Sequence, residues 1–175
     1  TESNPVKIIF DAVMNGIRPF PAEDTDLAER RASSHKLTFN YELLKEKLVN
    51  ESPMNRALLL QAIRWCITKD TCAWSREQHI CDLVEKDFLS LLSPVSERSA
   101  VFDFGFLQVP VFLEQSQLRI LCTLASFPVG GVYLSSVDSL VALLAEKLAS
   151  YKLTSRDDGV MRDLLIATCH KLSIW

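Results

Sequence analysis

Cys66, Cys72, His79 and Cys81 lie close together in the chain and are residue types that ligate zinc. Structural zinc sites favour close ligand pairs such as Cys-x2-Cys, with a second pair at a distance. Here the spacing is Cys-x5-Cys-x6-His-x-Cys. Cys66 falls in a nearly continuous apolar run, and His79 and Cys81 point to different faces of a helix. The pattern therefore reads as buried thiols and a surface histidine, with no metal. Nucleophilic catalysis needs a Cys or Ser beside a base and an orienting group. Cys169 and His170 are adjacent, so on a helix they diverge by about 100° and form no dyad. Carboxylates cluster at Glu23, Asp24 and Asp26, and again at Asp157 and Asp158. The second cluster sits at an expected helix N-terminus, where negative charge complements the helix dipole. Gly130-Gly131 reads as a turn, and there is no phosphate-binding glycine loop. The expectation is a protein that is not an enzyme and needs no cofactor.

Arg18, Arg30, Arg31 and Lys36, with His35, form a basic concentration that Glu23, Asp24, Asp26 and Glu29 interrupt. It reads as a solvated, salt-bridged face. The alternative is a nucleic-acid contact, which Lys45, Lys47, Arg56 and Arg64 would extend if the fold gathered them. A net charge of −3 gives no bulk attraction to nucleic acid or to an anionic membrane.

These residues must be positioned by helices. Gly is scarce (5 in 175), which argues against a turn-rich β fold. Asn4-Pro5 opens a first helix that ends near Gly16, and residues 17–37 form a charged connector. Thr38 to Asn50 carries Phe39, Leu43, Leu44 and Leu48 at helical spacing. Ser52-Pro53 then opens a helix to Thr68 that is apolar nearly all round, with Trp65 in the core. Ser75 and Gln78 form a capping-box pattern. That pattern heads a stripe of Ile80, Leu83, Val84, Phe88, Leu91 and Leu92, which Ser93-Pro94 ends. In 101–111, Phe102, Phe104 and Phe106 alternate as a strand would, and a helix starting near Ser96 is the alternative.

Val111 to Phe127 returns to helical phasing, with Leu113, Leu118, Leu121 and Ala125 inward and Ile120 and Leu124 widening the face. Pro128 to Gly131 reads as a break. Two amphipathic helices close the chain. Ser136 to Leu153 carries Val137, Leu140, Val141, Leu144, Leu148 and Tyr151. Ser155 to Ser173 carries Met161, Leu164, Leu165, Thr168 and Leu172.

The fold class expected is all-α: one domain over 1–175, an irregular stack or bundle of about seven helices with no fixed period. From Thr38 to Trp175 the paired amphipathic helices resemble the degenerate HEAT/armadillo-like class. That resemblance implies a scaffold or adaptor that binds a protein partner, as a peptide or helix, or self-associates. The contact residues expected are Trp74, Phe102, Phe104, Phe106, Lys152, His170 and Trp175. Five cysteines without regular pairing suit a reducing, intracellular compartment. The apolar runs fall short of a membrane span. A start without Met and an apolar last residue suit a piece of a larger protein.

Overall fold

The computed structural model describes residues 40–69, 73–92, 109–137, 140–151 and 156–175, with backbone alone at 74–75 and 156–158. The fold is all-α, with seven helices and no strand among the described residues. The expected first helix, the connector and the Phe102–Phe106 segment lie outside them.

Helix α1 spans Tyr41–Asn50 and buries Leu44 and Leu48. Asn40 caps it, its side-chain oxygen accepting from the Leu43 N–H at 3.1 Å. At the joint that follows, the Glu51 carboxylate accepts from Lys47 Nζ at 3.1 Å and Asn55 Nδ2 at 2.9 Å. Those two bonds hold its pKa below the usual carboxylate value. Ser52 Oγ accepts from the Asn55 N–H, and Pro53 then takes a first-turn position that needs no donor.

Helix α2 (Pro53–Lys69) buries Ala57, Leu59, Leu60, Ile63 and Ile67. Its core set follows one side of the helix, and Trp65 falls on the other, 51% exposed. The core placement expected for Trp65 is therefore corrected. Its ring instead carries Lys69 Nζ at 5.7 Å from the centroid, a cation–π contact at the helix end.

Helix α3 (Ala73–Glu85) starts two residues ahead of the expected Ser75 cap. Gln78 does not serve a capping box: its amide donates to Asp82 at 2.9 Å. The helix also stops earlier than the apolar stripe suggested. Phe88 N–H bonds Leu83 C=O at 3.0 Å and Asp87 N–H bonds Val84 C=O at 2.9 Å. Together with Asp87 at φ 41°, this is a Schellman ending with aspartate in the left-handed position. The stripe residues Phe88 and Leu91 are still buried, as is Leu89 between them, but from a turn segment with Asp87 and Ser90 at positive φ, while Leu92 faces solvent.

Helix α4 (Val111–Leu124) lies between α2 and α7, and its packing on α2 is the most extensive between any two helices described. That position buries the expected Leu113, Leu118, Ile120, Leu121 and Leu124, and Glu114, Ser116 and Gln117 as well. Each fully buried Leu or Ile side chain contributes about 1.5–3 kcal/mol.

The expected break at Pro128 is instead the start of α5 (Pro128–Ser135), with proline in the first turn. The chain turns by 118° between α4 and α5. Gly130 sits where a Cβ would come 2.3 Å from the Leu124 carbonyl oxygen, so only glycine allows this tight elbow.

The closing pair is α6 (Leu140–Ser150) and α7 (Arg156–Leu172), packed on each other. Met161, Leu165, Thr168 and Leu172 are buried as expected, as are Val137, Leu140 and Leu144. Val141, placed inward by its spacing, faces solvent because α7 covers a narrower stripe of α6. No helix among the described residues is long and apolar enough to cross a membrane.

The packing has a repeating logic. The long helices α2, α4 and α7 form a row, α2 on α4 and α4 on α7. The helices that follow the first two, α3 and α5, pack on each other beside that row. The row helices start at Pro53, Val111 and Arg156, which are unevenly spaced.

Candidate functional site

The three row helices share one local hydrogen-bond pattern. Thr68 Oγ1 donates to Arg64 C=O at 2.9 Å on α2, and Thr123 Oγ1 to Arg119 C=O at 2.8 Å on α4. On α7, Thr168 Oγ1 donates to Leu164 C=O at 2.7 Å. Arg-Trp-Cys-Ile-Thr and Arg-Ile-Leu-Cys-Thr thus repeat one pattern on neighbouring helices, with Leu164 in the arginine's place in the pattern on the third.

Arg64, Thr68, Arg119, Thr123 and Leu164 line an open groove of about 410 Å³ together with Arg76, Cys122, Ser126, Phe127 and Lys171. Four of the ten are cationic, and no carboxylate from the described residues lines it. The buried Nε atoms of Arg64 and Arg76 meet no hydrogen-bond acceptor among the described residues. Lys171 is held at the mouth: its ammonium donates to Ser126 Oγ at 2.7 Å and Cys122 C=O at 3.1 Å, beside Cys122 Sγ at 3.2 Å. It answers the negative end of α4, whose last carbonyls lack partners within the helix. A surface of fixed cations beside threonine hydroxyls and two apolar side chains can hold anionic groups along an extended chain.

Trp175 closes the other side of the α4 end. Its Nε1–H donates to Ala125 C=O at 3.2 Å, and its ring lies where a Cβ on Gly131 would come within 2.0 Å. The indole is 46% exposed, so one edge is docked and one is open to solvent. Among the other contact residues expected, His170 is exposed on α7, next to Lys171. Trp74 lies on α3 with its side chain outside the described residues. Phe102, Phe104, Phe106, Lys152, Arg18, Arg30, Arg31 and Lys36 lie outside them too. Arg64 reaches the groove, whereas Lys47 pairs with Glu51.

The cysteine and histidine expectations divide. Cys66, Cys81, Cys122 and Cys169 are free thiols, half-buried rather than buried. Burial pushes the Cys66 and Cys169 thiols up; at Cys81, burial and then Glu77, Glu85 and Asp82 do the same. A raised thiol holds little thiolate at neutral pH. His79, expected at the surface, is only 3% exposed. The reason is tertiary: α5 packs on α3, a contact that helix spacing alone does not reveal. No group of three or more His, Cys, Asp or Glu side chains among the described residues could hold a metal ion.

No family model matches the chain, and no solved structure matches it. Over 137 residues it is 28% identical to the LisH domain-containing protein ARMC9 of Danio rerio. The match covers 78% of this chain and 16% of that protein's length. ARMC9 is an armadillo-repeat protein, and the similarity supports an armadillo-like helical class. The class also accounts for the row: stacked units present equivalent helices side by side, so equivalent residues recur on one face.

The groove residues Arg76, Arg119 and Lys171 escaped the sequence reading. The signal was present in the repeated Arg-x-x-x-Thr on two apolar helices, but uneven helix spacing hid it from a search for a fixed period.

Proposed function

We propose that this chain is a non-enzymatic protein-interaction domain that holds an extended segment of a partner protein along the α2–α4–α7 face. The observation that carries the reading is the groove: cations from four helices and two apolar side chains converge there, with no carboxylate among the described residues lining it. The armadillo-like class supports it, because stacked helical units build extended binding surfaces rather than catalytic pockets. An intracellular scaffold or adaptor role fits this reading.

Site-directed photo-crosslinking tests it. A photoreactive residue replaces Thr123 in the groove, or Glu146 on the exposed side of α6, in the full-length protein. The expected result is a protein adduct from position 123, mapping to one continuous partner segment, and none from 146. Adducts equally abundant from both positions, or from 146 alone, would refute the groove as the contact face.

A further inference from the structure

Resting on that reading, we infer that the segment held is acidic, and that its carboxylates or phosphates are spaced three residues apart in an extended, polyproline-like chain. Arg64 and Arg119 line the same groove from adjacent row helices, and each has a threonine four residues on that bonds the arginine's own carbonyl. Packed helices lie about 8–10 Å apart, so groups that line one groove from adjacent helices form a ladder with roughly that rung spacing. A polyproline II chain rises about 3.1 Å per residue with three residues per turn, so every third side chain returns to one face after about 9 Å. A flat β-strand returns after two residues and about 6.8 Å, which falls short of the rungs. The match therefore selects acidic groups at i and i+3.

The guanidinium fork suits both carboxylate and phosphate, and Lys171 and Arg76 extend the positive field along the groove. The remaining lining fits a peptide better than a polynucleotide: Phe127 and Leu164 offer apolar contact to side chains, and the chain as a whole is acidic at −3. Carboxylate and phosphate share this chemistry and are separated by the experiment.

The test uses the full chain and fluorescently labelled synthetic peptides read by anisotropy across a salt series. One peptide carries glutamates at i and i+3, one carries the same number at i and i+2, one replaces the glutamates with phosphoserines, and one is neutral. A single-stranded oligonucleotide of equal charge is the fifth probe. We expect binding of the i, i+3 glutamate or phosphoserine peptide, weakening as salt rises. Arg64→Gln with Arg119→Gln should weaken it about tenfold or more, since each removes a charge-assisted contact. Arg64→Glu with Arg119→Glu should transfer preference to a lysine i, i+3 peptide, a gain that an unfolded variant could not produce. Equal binding of the i, i+2 peptide overturns the ladder. Tighter binding of the oligonucleotide overturns the peptide assignment. Salt-insensitive binding of the neutral peptide in the groove overturns the acidic partner while leaving the interaction face intact.

Discussion

The Tyr133 hydroxyl donates to the Asp87 carboxylate at 2.5 Å, tying α5 to the turn that ends α3. The same carboxylate accepts from the Leu91 N–H at 2.9 Å and is within reach of the Leu92 N–H. Aspartate at φ 41° thus closes the helix and positions the acceptor that holds the next unit. Glycine adopts this φ without strain, so Asp87→Gly isolates the carboxylate. It should cost about 2–3 kcal/mol, and Tyr133→Phe about 1–2 kcal/mol. Urea denaturation of both variants and of the double variant should show non-additive losses. Additive losses would mean the two groups do not act together.

The same pair sets an alkaline limit. Burial, and then the Asp87 carboxylate, push the Tyr133 phenol above its ordinary value of 10.0. The unfolded chain therefore releases this proton at lower pH than the folded one. The stabilisation is complete below pH 10.0 and is lost as pH rises beyond it. Tyr41, raised chiefly by burial, behaves alike. Denaturation midpoints measured on both sides of pH 10 should fall less steeply in Tyr133→Phe than in the parent protein; an identical fall would remove Tyr133 as a contributor.

Three glycines give three different outcomes on substitution by alanine. At Gly130 the new Cβ meets backbone, the Leu124 carbonyl at 2.3 Å, and α5 must move off α4; the loss should reach about 3 kcal/mol. At Gly131 it meets the Trp175 indole at 2.0 Å, a side chain rather than backbone. The loss there should be about 1–2 kcal/mol, with a red-shifted indole emission. At Gly159, on α7, nothing lies within 4 Å, and alanine should stabilise by up to about 1 kcal/mol through helix propensity. Thermal melts of the three variants check the order, and a Gly159→Ala loss matching that of Gly130→Ala would contradict it.

Glu114 and Lys147 form an ion pair between α4 and α6, with side chains only 8% and 12% exposed. Removing one partner strands a largely buried charge. Glu114→Leu or Lys147→Met alone should therefore cost about 3–5 kcal/mol. Replacing both by apolar residues of similar size should recover most of that loss, because the desolvation cost disappears with the charges. Denaturant midpoints decide it, and a double variant as unstable as the sum of the singles would contradict the pairing.

Helix existence and most inward faces were legible because each follows from local chemistry. Ser52-Pro53 and the apolar stripes of α4 and α7 needed no tertiary information. What escaped was tertiary in origin. Asp87 takes a position usually given to glycine because its carboxylate gains three donors there. Pro128-Val-Gly-Gly reads as a turn, yet it is helical, and its glycines are needed because neighbours crowd their faces. Glu114 and Gln117 are buried because α4 has helices on both sides. The groove was hidden for the same reason: its cations come from four helices, and only their packing brings them together.

The most direct test of the central claim is an amide chemical-shift titration of the folded chain with the glutamate i, i+3 peptide. Perturbations are expected to concentrate at Arg64, Thr68, Arg119, Thr123 and Lys171, along the α2–α4–α7 row. Perturbations centred on Val141, Glu146 and Ala149, on the exposed side of α6, would contradict it.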